Sequence, residues 1–93
     1  MPRRRILIVE DDPATRAGLE GLLGDGSADV ATAASLDEGR RALARFDPDI
    51  CLTDLKLPDG SGIDFIRSAR ESARRDVIVL TGNGSIDTAV QAM

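Results

Sequence analysis

Histidine, tryptophan and tyrosine are missing from this 93-residue chain, and cysteine and lysine occur once each, as Cys51 and Lys56. Without histidine there is no imidazole to act as a general base or to ligate a metal, so histidine-based catalysis and histidine metal sites are excluded. A lone cysteine cannot form an internal disulfide, which fits a reducing, cytoplasmic setting. Cys51 sits within an apolar run and reads as inert core packing rather than as a reactive thiol. Long hydrophobic runs are missing too: Ile6-Leu7-Ile8-Val9 is far too short for a signal or membrane segment. The net charge of −4 argues against nucleic acid as the direct partner. Arg3-Arg4-Arg5, the one basic cluster, reads as a solvated lead-in to a strand, with contact to an acidic partner as the alternative.

What remains is ordinary globular composition, 42% apolar and 30% charged, in a length that suits one domain over residues 1–93. Ile6–Val9 is a continuous aliphatic run, the pattern of a strand buried on both faces, and it ends at Glu10-Asp11-Asp12. Pro13 suits the first position of a helix and Asp12 its N-cap. That helix is expected to turn Leu19, Leu22 and Leu23 inward and to stop at Gly24 and Gly26. Asp29 to Ala34 predicts a second strand. Ser35-Leu36-Asp37-Glu38 is a capping box opening a helix with Leu36, Gly39, Leu43 and Phe46 inward, broken by Pro48.

A third strand is predicted from about Asp49 to Thr53, followed by the turn Pro58-Asp59-Gly60-Ser61-Gly62. Ser61, with Asp64 behind it, caps a third helix whose Gly62, Phe65, Ile66 and Ala69 share one face. Val77–Leu80 is a fourth buried strand delivering Thr81, and Ser85 caps a last helix with Ile86, Ala89, Val90 and Met93 inward. Strands alternating with helices in this way predict an α/β fold, a parallel doubly wound sheet with right-handed crossovers.

In such a sheet chemistry collects at the carboxyl ends of strands, where Glu10, Asp11, Asp54 and Thr81 are expected to converge. Clustered carboxylates repel each other unless a cation sits among them, and all-oxygen ligation favours Mg²⁺. A carboxylate beside Mg²⁺ is a competent nucleophile toward phosphorus, and the Thr81 hydroxyl can donate a hydrogen bond to the phosphoryl group. The plain alternatives are a helix cap for Asp12, a cap or turn role for Asp54, and a solvated loop cation for Lys56.

ILIVEDD closing the first strand, LTDLKLPDGSG around Asp54 and LTGNGS after the fourth strand resemble the receiver domain of two-component response regulators. LTGNGS with IDTAVQAM behind it is most similar to receivers of bacterial enhancer-binding, sigma-54-dependent transcription activators. The resemblance covers essentially the whole chain. It implies a flavodoxin-like sheet of strand order 2-1-3-4 and a phosphoryl group accepted on Asp54 from a histidine kinase. It also implies Mg²⁺ served by Glu10, Asp11, Asp54 and the main-chain carbonyl of Lys56, and Thr81 as the switch hydroxyl. Lys56 and Asn83 occupy the positions that tune dephosphorylation, and the expected role is a signalling switch for an output domain or partner, without a substrate of its own.

The family pattern runs on through a fifth strand and a fifth helix, which are lacking here, so the resemblance implies a truncated receiver. The fifth strand's phosphoryl-contacting lysine and its aromatic residue are not among these residues, and the expectation is poor phosphorylation. The Val77–Leu80 edge and one sheet face, covered by the first helix alone, are expected to be exposed and to drive homodimerisation. A phosphorylation-incompetent interaction module is therefore the alternative function. An Asp-nucleophile phosphohydrolase is disfavoured, because Lys56 stands where such enzymes carry a second aspartate. A dinucleotide site is disfavoured because acids occupy the place of its glycine-rich loop.

Overall fold

The structure, a computed structural model, describes residues 3–24, 26–72 and 75–80. In chain order the elements are β1 (Arg4–Val9), α1 (Pro13–Leu23), β2 (Ala28–Ala33), α2 (Leu36–Phe46), β3 (Ile50–Asp54), β4 (Lys56–Leu57), β5 (Gly60–Ser61), α3 (Gly62–Ser72) and β6 (Asp76–Leu80). The four longer strands form one parallel sheet in the order β2-β1-β3-β6, the expected order, with bounds within a residue of those predicted except that β1 begins two residues earlier, at Arg4. The expected last helix with Ser85, Ile86, Ala89, Val90 and Met93 lies outside the described residues, as do Thr81 and Asn83.

Alternation along the strands buries both faces of the sheet. Leu7, Val9, Cys51, Val77 and Val79 join Leu36, Leu43, Phe65, Ile66 and Ala69 beneath α2 and α3. Each such side chain, fully buried, contributes about 1.5–3 kcal/mol. Cys51 is inert as expected: it is fully buried and free, and burial pushes its thiol up to about 11. Gly39 lets α2 settle on this core, since a Cβ there would lie 2.9 Å from Phe65 Cε1 and 3.2 Å from Val9 Cγ2. The opposite face holds Ile6, Ile8 and Leu52, with Leu19 and Leu23 of α1 packed against them. Among the described residues α1 alone supplies helical cover to that face, and β6 pairs on one side only.

Two expected core positions are not core. Leu22 is 78% exposed, because α1 lies over β1 and β2 and only the Leu19–Leu23 stripe meets the sheet. Phe46 is half-buried at the outer margin, where it lines a groove with Ala31 and Thr32 of β2.

The caps form as predicted. Asp12 accepts from the Thr15 amide at 2.8 Å, and Ser35 Oγ accepts from the Glu38 amide at 3.2 Å. The basic cluster is exposed and leads into β1, as expected, and Arg3 is in addition bound to Asp29 Oδ1 at 2.8 Å and to the carbonyls of Gly26 and Ala28. Arg75, which no sequence pattern singled out, is buried and donates to the carbonyls of Pro48 (2.9 Å) and Ala69 (2.6 Å) and to Asp47 Oδ1 (2.8 Å). It ties the α2–β3 connection to the end of α3, at the edge of the sheet where strands begin.

Candidate functional site

Register builds the site. Val9 lies beside Thr53 across the β1–β3 ladder, so the next residue of each strand, Glu10 and Asp54, leave the sheet side by side. The Glu10 amide donates to the Ala33 carbonyl at 2.9 Å, which carries β1's alignment with β2 one residue past the strand. Carboxylate oxygens of Glu10, Asp11 and Asp54 all lie within 4.8 Å of one another. Glu10 is buried, Asp54 half-buried and Asp11 exposed. Asp12 is not in the cluster, since its carboxylate is held by the Thr15 amide and hydroxyl at 2.8 and 2.6 Å. Those bonds, the hydroxyl's first, keep its pKa below the ordinary value.

Charge is in excess here. Burial raises the Glu10 carboxyl's pKa above its usual value, and neighbouring Asp54 and Asp11 push the same way, against the Asp12 amide that donates to Glu10 Oε1 at 3.1 Å. Arg16 Nη1 donates to the Glu10 carbonyl at 2.9 Å, fastening the backbone of the acidic loop without pairing any of the three carboxylates. Such a set, all oxygen and with no ion-pair partner among the described residues, has the chemistry of a hard divalent cation site. The donors therefore fit Mg²⁺. Among the described residues this is the group of acids with metal-ligand geometry.

The segment after Asp54 folds back tightly. Lys56 donates its amide to Asp54 Oδ1 at 3.3 Å while its side chain is exposed, and β4 and β5 pair antiparallel, Lys56 with Ser61 and Leu57 with Gly60. The Gly62 amide donates to the Leu55 carbonyl at 2.8 Å, and a Cβ on Gly62 would collide with the Asp54 carbonyl. Glycine is thus required where the helix begins against the site. Asp59 was read only as part of a turn. Its two carboxylate oxygens accept from the amides of Leu36 (2.8 Å) and Asp37 (3.0 Å), which lowers its pKa. The sequence signal was indirect: α2 opens with orphan amides, Ser35 serves that of Glu38, and the others need an acceptor from elsewhere.

Of the residues named from sequence, Glu10, Asp11 and Asp54 are brought together with Lys56 adjoining, and Thr81 and Asn83 lie outside the described residues. Residues 6–93 match the response regulator receiver domain. The chain belongs to that family. This receiver is 43% identical over 94 residues to the response regulator protein PilR of Pseudomonas aeruginosa, covering 100% of this chain and 21% of PilR. It is 36% identical over 90 residues to the alginate biosynthesis transcriptional regulatory protein AlgB of the same species, covering 96% of this chain and 20% of AlgB. Among solved structures, the beryllofluoride-activated NtrC4 receiver domain dimer superimposes with a TM-score of 0.79 at 34% identity, covering 95% of this chain and 74% of that one. The receiver spans about a fifth of the length of these curated relatives. Its fold is the flavodoxin-like one of receivers, with the same parallel α/β sheet as solved receiver domains. Among the described residues no helix is long and apolar enough to cross a membrane.

Proposed function

We propose that Asp54 is the phosphoacceptor of a two-component switch, charged by a sensor histidine kinase in the cytoplasm and read by an output domain or partner in transcription. The observation that carries this is the convergence of Glu10, Asp11 and Asp54 at the strand ends of a receiver. One Asp54 oxygen forms the new bond to phosphorus as the bond from phosphorus to the donor's nitrogen or acyl oxygen breaks. Glu10, Asp11, Asp54 and the Lys56 carbonyl are the residues that would hold Mg²⁺, which when bound neutralises charge on the transferring phosphoryl group. Thr81 supplies the switch hydroxyl, and Lys56 and Asn83 tune hydrolysis of the acyl phosphate. The domain turns over no substrate of its own. Names of relatives such as AlgB, a transcriptional regulatory protein, support the transcriptional setting, and the enhancer-binding activator subgroup is the nearest reading of the sequence motifs.

The test is intact mass after incubation with Mg²⁺ and a small acyl phosphate, for this chain and for Asp54→Asn, with both shown to be folded. Phosphoryl addition to the parent, even if slow and partial, and none to the variant is the outcome that supports the reading. No addition to the folded parent overturns the reading in favour of an interaction module. The face of Ile6, Ile8 and Leu52, expected to be exposed, is buried under α1 and its neighbours, so it is the edge of β6, paired on one side only among the described residues, that favours self-association as a further property of the chain. Light scattering that finds only monomer at moderate concentration removes it.

A further inference from the structure

We propose that Asp59 is a positioning residue for the phosphoacceptor site, holding the segment 55–61 in the shape that presents Lys56 to the cation. This rests on the Mg²⁺-assisted phosphorylation of Asp54 proposed above. The segment is fixed at its mouth by the Gly62 amide on the Leu55 carbonyl and by the close approach of Gly62 to Asp54. Its far end is held by Asp59, whose carboxylate bridges two consecutive amides of another element, at 2.8 and 3.0 Å, across 23 and 22 residues of sequence. Gly60 follows with φ of 145°, and a Cβ there would lie 2.9 Å from Leu36 Cδ1, so the tip also packs on the residue whose amide Asp59 receives.

Between mouth and tip lies Lys56. Its amide reaches Asp54 Oδ1, and its neighbour Leu57 is buried. A segment held at both ends keeps Lys56's backbone in register with Asp54, while one held only at the mouth does not. Groups that orient metal ligands from behind are typically worth about 10–100-fold in metal affinity or activity, and Asp59 acts on the segment that carries Lys56 while making no contact with the Asp54 carboxylate. Loss of Asp59 is therefore expected to weaken cation binding and to leave the rate at saturating cation largely intact. The same clasp ties the segment to the first turn of α2, so α2 shares the site's state of order.

The experiment uses the whole chain with Asp59→Ala, Asp59→Asn and Gly60→Ala, each checked for fold by circular dichroism. The Mg²⁺ dependence of phosphorylation by a small acyl phosphate gives a midpoint and a maximal rate. Calorimetric titration with Mg²⁺ alone gives affinity without any reaction. Asp59→Ala is expected to raise the midpoint and the dissociation constant about tenfold, the low end for a group behind a metal ligand, with the maximal rate within about twofold. Asp59→Asn, which keeps one acceptor oxygen, should fall between Ala and the parent, and Gly60→Ala should shift the midpoint the same way. An unchanged Mg²⁺ affinity together with faster exchange of the Leu36 and Asp37 amides would reduce Asp59 to a helix cap and overturn the inference. A parent that binds Mg²⁺ but is never phosphorylated overturns the Asp54 reading, and the calorimetry still decides whether Asp59 positions the cation ligands. A parent that binds no Mg²⁺ overturns both.

Discussion

Glu10 and the aspartates around it divide by how their charge is met. Asp12 and Asp59 accept backbone amides and hold their protons weakly, so what they add to stability is present above their ordinary value of 3.8 and fades as acid takes the pH below it. Glu10 is opposite in sign. Its pKa is raised in the folded chain, so its contribution is complete below its ordinary value of 4.5 and is lost as the pH climbs through the folded value. At neutral pH the ionised Glu10 is therefore a liability in the absence of a cation. Glu10→Gln, which keeps an acceptor for the Asp12 amide, is expected to melt higher than the parent at neutral pH without divalent ions and to lose that advantage in acid. Mg²⁺ should raise the parent's melting temperature more than the variant's. Thermal unfolding across pH, with and without Mg²⁺, measures this; a difference that is constant from about pH 4 to about pH 8 would exclude the role. Sequence alone put Glu10, Asp11 and Asp54 together, because strand ends in a parallel sheet converge. Which acid is buried and which is pinned depends on packing, and Asp12 was separated from its neighbours in the sequence only because Pro13 after it marks a helix start.

At the level of elements, α3 was legible down to single positions, and α2 in all but its last, Phe46. Their buried faces repeat at helical spacing, and small residues sit where the helices press on the sheet, Gly39 against Phe65 and Ala69 in the core. α1 was less so. Its Leu19, Leu22 and Leu23 have the spacing of a buried stripe, yet none is fully buried and Leu22 faces water. Periodicity tells which residues share a side of a helix, not how wide a strip the partner surface will accept. Leu22→Gln is accordingly expected to change stability by less than about 0.5 kcal/mol. Leu19→Ala should cost more, about 1–2 kcal/mol, since it uncovers part of Ile6, Ile8 and Leu52. Urea midpoints of the two variants decide, and equal losses would mean that α1 sits deeper than its exposed leucine indicates. The β4–β5 pairing was hidden for another reason: a Pro-Asp-Gly turn is consistent with many closures, and the one adopted depends on Asp59 finding orphan amides in a helix far away in sequence.

Across the whole molecule the order of strands followed from the alternation of patterns, but the fastening of the sheet did not. Arg75 lies between a helix end and a strand start and looks like any surface arginine in the sequence, whereas in the fold its side chain is 4% exposed and serves two carbonyls, one in the α2–β3 connection and one in α3. Buried acceptors stripped of their donor cost about 1–3 kcal/mol each, a large share of the roughly 5–15 kcal/mol that holds a domain together. Arg75→Met is thus expected to lower stability by about 2–4 kcal/mol while leaving Mg²⁺ affinity, set at the other edge, within about twofold. A variant that loses Mg²⁺ binding while still folded would contradict the independence of the two edges.

That separation of edges gives the molecule the mechanics of a fork. Its handle is the amino ends of the strands, where Arg3 reaches the carbonyls of Gly26 and Ala28, Asp49 bonds to both the amide and the carbonyl of Arg5, and the Asp76 amide reaches Asp49. Its tines are the carboxyl ends, tipped with like charges that push apart. A cation held between them would offset that repulsion where it arises, at the tips, while the hydrogen bonds of the handle tie the strand starts together.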